Sequence, residues 1–133
     1  MAKEFTFKGK SVEELQGMSV EEFAKLVSSR ERRTLLRYTD KPLLKKVDKA
    51  LEEKKKGKEP KTIRTHKRDF VVLPKFIGLK FAIYKGNGWE IVDIVPEMLG
   101  HVLGEFSMTR KRLRHGKAGI GATKSSTAIT ARG

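Results

Sequence analysis

Apolar residues and positive charge occupy different stretches of this chain, and that separation limits what it can fold into. Residues 69–106 hold three basic and five acidic side chains, and 21 of these 38 residues are aliphatic or aromatic. Residues 41–68 carry twelve basic and four acidic groups, and residues 107–133 carry seven basic and none acidic. Residues 1–40 are near neutral, with eight basic and seven acidic. The four stretches, in chain order, contribute +1, +8, −2 and +7 to a formal net charge of +14 over 133 residues. The middle has the apolar density of a core, and the basic stretches read as faces or arms around it.

Self-repulsion at +14 calls for a polyanion partner. No apolar run is long enough to span a bilayer, and Met1-Ala2-Lys3-Glu4 lacks the apolar stretch of a signal peptide. A membrane partner is therefore not expected, and a cytoplasmic location is. Cysteine is absent, which excludes disulfides and thiolate metal sites.

Ser11-Val12-Glu13-Glu14 and Ser19-Val20-Glu21-Glu22 both have the form of a capping box. The first predicts a short turn ending near Gly17. The second predicts a helix with Val20, Phe23, Ala24 and Val27 on one face, which continues or restarts through Arg30, Arg32, Arg33 and Arg37. Asp40 and Pro42 predict the start of a further helix, with Leu43, Leu44, Val47, Ala50 and Leu51 as its apolar stripe and Gly57 as its stop. Thr62–Thr65 alternates in polarity, as does Leu79–Tyr84, and both predict strands. Lys85-Gly86-Asn87-Gly88 predicts a turn into a return strand from Trp89 to Val95. Pro74–Gly78 and Pro96–Gly100 each read as one helical turn between Pro and Gly, and Gly104 is expected to end another before Phe106. From Ser107 onward the apolar content collapses, so an extended segment that orders on a partner is expected.

Several constellations invite chemistry. Gly116–Ser125 resembles a phosphate loop, but Ala122-Thr123 separates the last Gly from Lys124, and no strand precedes it. The histidines, His66, His101 and His115, have no helical spacing, so no metal site and no catalytic arrangement is expected. His101 lies among Gly100, Val102 and Leu103 and is expected to be packed. Arg64-Thr65-His66-Lys67-Arg68 directly precedes the apolar middle and reads as a rigidly held phosphate clamp. Thr109-Arg110-Lys111-Arg112-Leu113-Arg114-His115 can bind phosphate and stack on bases. The lysines of 54–61 read as a solvated run. Tyr84 and Trp89 flank the turn, where core packing is favoured over base stacking.

Ile63–Asp69, Val72–Leu79 and Ile83–Gly88 together resemble the small-subunit ribosomal protein S-nineteen family. Pro96-Glu97-Met98-Leu99-Gly100-His101-Val102-Leu103-Gly104-Glu105-Phe106, followed by Thr109-Arg110, is the most specific part of that resemblance. His115-Gly116-Lys117 and Gly119–Thr123 resemble the archaeal and eukaryotic branch. Bacterial members have Trp where this chain has His66. The resemblance implies a small α+β domain with a three-stranded sheet. It implies a place in the head of the small subunit on ribosomal RNA, beside the S-thirteen family protein. It also implies a C-terminal tail reaching toward the decoding region and tRNA.

The expectation is thus an α+β fold in three parts: a helical basic N-terminal region over 1–61, an α+β core over 62–106 and an extended basic tail over 107–133. The expected function is a ribosome-bound, structural, RNA-binding protein with no cofactor. Its candidate RNA-binding residues are Arg64, His66, Lys67, Arg68, Lys80, Arg110, Lys111, Arg112, Arg114, His115, Lys117 and Lys124. A DNA-compacting protein and an RNA-processing enzyme are the alternatives, and the chain lacks a recognition-helix or basic-zipper pattern that would favour the first.

Overall fold

The structure, a computed structural model, describes residues 4–113. A hairpin without a strong sequence signal opens it: β1 (Thr6–Phe7) pairs antiparallel with β2 (Lys10–Ser11). Lys8 (φ 52°) and Gly9 (φ 79°) both sit at positive φ between the strands, the backbone a tight two-residue hairpin needs. Lys8-Gly9 marks the turn only weakly, because lysine rarely takes that conformation.

Four helices follow: α1 (Val12–Gly17), α2 (Val20–Leu26), α3 (Ser29–Arg37) and α4 (Lys41–Lys55). Both capping boxes form. Ser11 and Ser19 accept from the Glu14 and Glu22 amides, and those glutamates accept in return from the Ser11 and Ser19 amides. The basic run restarts as α3 instead of extending α2. Arg32 explains how the break is tolerated: its guanidinium donates to the carbonyls of Ala24 (3.1 Å), Lys25 (3.3 Å) and Val27 (3.3 Å), which the end of α2 leaves without helical partners. Asp40 caps α4 through the Leu43 amide, and Gly57 ends the following turn at φ 74°.

The three-stranded sheet has the order β3 (Ile63–Thr65), β4 (Lys80–Tyr84), β5 (Trp89–Asp93). β3 runs parallel to β4, with Thr65 opposite Ile83. β5 runs antiparallel to β4, with Phe81 opposite Val92 and Tyr84 opposite Trp89. β5 stops at Asp93 rather than Val95, because Val95 turns into the 3-10 helix Pro96–Met98 and its carbonyl accepts from Met98. Pro74–Phe76 forms the matching 3-10 helix, and Gly78 and Gly100 close the two turns at φ 78° and 79°.

One buried cluster joins all these parts. Leu15, Phe23, Leu35, Leu43 and Val47 from the helices pack with Phe70–Leu73, Phe76, Phe81, Ile83, Ile94, Leu99 and Leu103. Phe76 sits between Phe70 (5.7 Å between ring centroids) and Phe81 (5.0 Å). The helices thus complete the core that the apolar middle begins, so the fold is α+β with its helical and sheet parts sharing one interior.

The Pro96–Phe106 signature has a structural use. It zips onto residues 68–72 through Val72 N–H to His101 C=O (2.8 Å), Leu103 N–H to Phe70 C=O (2.9 Å) and Gly104 N–H to Arg68 C=O (2.8 Å). Gly104 lies inside a third 3-10 helix, Leu103–Phe106, rather than ending a turn. A Cβ there would stand 2.9 Å from the Arg68 carbonyl oxygen, so the close approach itself requires glycine. His101 is exposed instead of packed, because the apolar residues beside it turn inward while its Nδ1 pairs with the Glu105 carboxylate at 2.7 Å.

Candidate nucleic-acid interface

Strand register decides which side chains share the outer face of the sheet. Arg64, Ala82 and Ile91 are cross-strand partners, as are Tyr84 with Trp89 and Lys80 with Asp93. Side chains alternate along a strand, so these point one way while Phe81, Ile83, Val92 and Ile94 point into the core. Asp93 therefore belongs with Trp89 and Ile91 on the outer side, which settles the facing of β5.

Tyr84 and Trp89 are half-buried on that outer face and take no part in the core, contrary to the expectation from their size. Two large rings paired across adjacent strands can bury much of their surface against each other without entering the interior. Their centroids are 5.2 Å apart at 61°. His66, one residue past β3, joins them at 4.6 Å from Tyr84 and 4.8 Å from Trp89. The Arg64 guanidinium carbon stands 5.8 Å from the Trp89 ring centroid, within cation–π range. His66 and Arg64 are exposed. The result is an aromatic platform with a cation at its rim.

Arg68 has a different place from its neighbours. Its guanidinium donates to three backbone carbonyls: Tyr84 (2.7 Å), Gly104 (2.8 Å) and Ser107. One side chain thus ties the β4 end of the platform to the residue from which the basic tail departs. Ser107 is itself 1% exposed, so the tail's first residue belongs to the folded domain. Arg110, Lys111 and Arg112 leave from this anchored point and are exposed.

Lys67 is exposed and donates to the Tyr38 hydroxyl at 2.7 Å, with its Nζ 5.2 Å from that ring's centroid. The hydrogen bond to Tyr38 raises the Lys67 pKa above the ordinary lysine value. Lys80 is exposed on the outer face. Between α4 and β3 runs a cleft of about 280 Å³ lined by Lys46, Lys49, Lys61 and Arg64 among others. Arg64 lines this basic cleft and also reaches over Trp89. The lysines at 46 and 49 carried no functional weight in the sequence, because only the docking of α4 on β3 brings them beside Arg64. Arg114, His115, Lys117 and Lys124 lie outside the described residues.

Among the described residues, no three His, Asp or Glu side chains gather as a metal site, and no helix is long and apolar enough to cross a membrane. Instead, the half-buried Tyr84 and Trp89 rings and the exposed His66 have the Arg64 cation beside them, and Lys67, Lys80 and Arg110–Arg112 are exposed elsewhere on the described surface. Stacking faces with a cation at hand suit unstacked bases joined by phosphates.

Comparison with known proteins settles the lineage. The profile of the family described as Ribosomal protein S19 matches residues 30–115. The chain belongs to this family. Its relatives include the small ribosomal subunit protein uS19 of Halorubrum lacusprofundi, 45% identical over 124 residues, covering 93% of this chain and 88% of the relative. The protein of the same description from Halobacterium salinarum is 48% identical over 123 residues, covering 92% and 88%. Both relatives reach well before residue 30, so the S19-family likeness takes in the N-terminal helices that pack on the sheet as well as the signature motifs.

Proposed function

We propose that this chain is a structural constituent of the small ribosomal subunit and binds ribosomal RNA through the platform and its cationic rim. The observation that carries the reading is the His66–Tyr84–Trp89 trio on the outer face of the sheet with Arg64 beside it, in a chain of the S19 family. Unstacked bases pack on the rings. Arg64, Lys67, Lys80, Arg110, Lys111 and Arg112 neutralise phosphates and release counterions, and Arg114, His115, Lys117 and Lys124 extend the same composition along the tail. Arg68 acts as a positioning residue, because three of its donors are already committed to carbonyls. His66 contributes a stacking face. The role is structural and not catalytic, in a cytoplasmic, ribosome-bound protein.

The finer placement follows from the S-nineteen family resemblance: the head of the subunit, an S-thirteen family neighbour, and a tail directed toward the decoding region and tRNA.

The test is co-sedimentation of the full chain with small ribosomal subunits, with duplex DNA as competitor. Retention on the subunit in excess DNA is expected, and equal competition would overturn the reading in favour of a DNA-compacting protein. Deleting residues 109–133, which spares Ser107, removes the seven basic residues of the tail. The fold should survive, and the log–log slope of affinity against salt should flatten by roughly 0.7–0.9 for each phosphate that is no longer neutralised. An unchanged slope would place the tail off the RNA.

A further inference from the structure

The sheet has one edge that the RNA reading leaves unused. β5 is its outer strand, and the backbone bonds on either side fix which of its groups are free. Ile94 N–H donates to Leu79 C=O (3.1 Å), and Lys85 N–H donates to Gly88 C=O (2.9 Å). In an antiparallel ladder bonded and non-bonded pairs alternate. The even residues of β5 therefore bond to β4, and the N–H and C=O groups of Trp89, Ile91 and Asp93 point away from the sheet. Proteins normally blunt such an edge with lysine, proline or a bulge. This strand, Trp89-Glu90-Ile91-Val92-Asp93, has none of these three; its only charges are Glu90, which is paired with Lys85, and Asp93. Ile91 is 66% exposed and Val95 41%.

Charge narrows the occupant. Asp93 and Glu97 are exposed beside these apolar residues, and residues 69–106 are net −2 in a chain of +14. Two acids disfavour phosphate here, tempered by Lys80 opposite Asp93, whereas Arg64 stands at the Tyr84–Trp89 end of the hairpin. We infer that the free edge of β5 docks an extended, lysine- or arginine-rich segment of a neighbouring protein by strand addition. Backbone bonds to Ile91 and Asp93 would hold it, an apolar side chain would cover Ile91, and basic side chains would meet Asp93 and Glu97. The five residues of β5 offer about 17 Å of edge. Trp89 stands at the junction, so RNA occupies one end of the strand and protein the other.

This inference rests on the reading of the chain as a ribosomal constituent, and the experiment separates the two. A photo-reactive benzophenone amino acid replaces Ile91 in the full chain, which is assembled into small ribosomal subunits and irradiated. The expected product is a protein–protein adduct that resists ribonuclease, with the cross-linked peptide rich in lysine or arginine. Asp93→Asn with Glu97→Gln should lower its yield about fivefold, the equivalent of roughly one net hydrogen bond. Hydrogen exchange on the unmodified chain supplies a second measurement: the Ile91 and Asp93 amides should exchange more slowly in the subunit than in the free protein. An adduct to RNA, to the chain's own tail or to a segment without basic residues overturns the inference. So does a yield indifferent to the two neutralised acids, or amides that remain unprotected in the particle. Failure of the unmodified chain to sediment with subunits would instead overturn the ribosomal reading.

Discussion

Arg68 separates two physical roles that look alike in sequence, and replacing it tests which one operates. Its guanidinium bridges the carbonyls of Tyr84, Gly104 and Ser107. Hydrogen bonds to a charged group are worth about 1.5–3 kcal/mol each. Arg68 is half-buried, so the freed carbonyls regain some water and the three bonds do not add fully. About 3 kcal/mol is the expected loss for Arg68→Met, which keeps much of the packing volume and removes every donor. Over the 110 described residues, 1 kcal/mol corresponds to roughly 4 °C, so the melting temperature should fall by about 12 °C. Arg68→Lys should recover little, because one ammonium cannot reproduce a planar fork aimed at three carbonyls. Thermal and urea unfolding followed by circular dichroism would measure both, with RNA affinity taken at a temperature where each variant is folded. If Arg68→Met unfolds within about 1 kcal/mol of the parent while RNA affinity drops tenfold and Arg68→Lys restores it, Arg68 is a phosphate ligand and the positioning argument is wrong.

Other substitutions probe the same framework. Gly104→Ala should cost about 1–3 kcal/mol in urea unfolding, because the new methyl meets the Arg68 carbonyl at 2.9 Å; a neutral result would mean that the Arg68–Gly104 approach relaxes freely. Trp89→Ala should leave the melting temperature within a few degrees but weaken RNA binding by about 1–3 kcal/mol in a filter or fluorescence assay, since the ring lies outside the core cluster. Unchanged affinity would remove base stacking from the proposal. Tyr38→Phe should return the Lys67 pKa toward the ordinary lysine value, read from its side-chain NMR resonances. The Lys67 pKa is raised in the folded state, so the linked stability is fully present below the unfolded value. It is lost as pH rises through the folded one; the parent alone should show that loss.

Much of the local structure was legible because its causes are local. Two capping boxes, the Asp40-Pro42 helix start, the Lys85–Gly88 turn and the Pro–Gly single turns each depend on a few adjacent residues. The Lys8-Gly9 hairpin escaped because its backbone conformation is set by pairing as much as by residue type. Arg64 and Lys67 were singled out by charge and are exposed, as an interface requires. Charge could not distinguish them from Arg68, whose three acceptors come from residues 16 to 39 positions away. Nor could hydrophobicity show that Tyr84 and Trp89 would turn outward, since that depends on the register of β4 against β5.

The sequence by itself determined the separation of an apolar, slightly acidic middle from two basic stretches, the start and stop of most elements, and the family through its Pro96–Phe106 signature. Tertiary structure decided that the N-terminal helices share the core, that Arg68 is turned inward, and that His66, Tyr84 and Trp89 meet on an outer face. The physical reason is one of range. Capping and turn preferences are settled within a few residues, whereas a shared guanidinium, a strand register or a ring cluster exists only after distant segments pack.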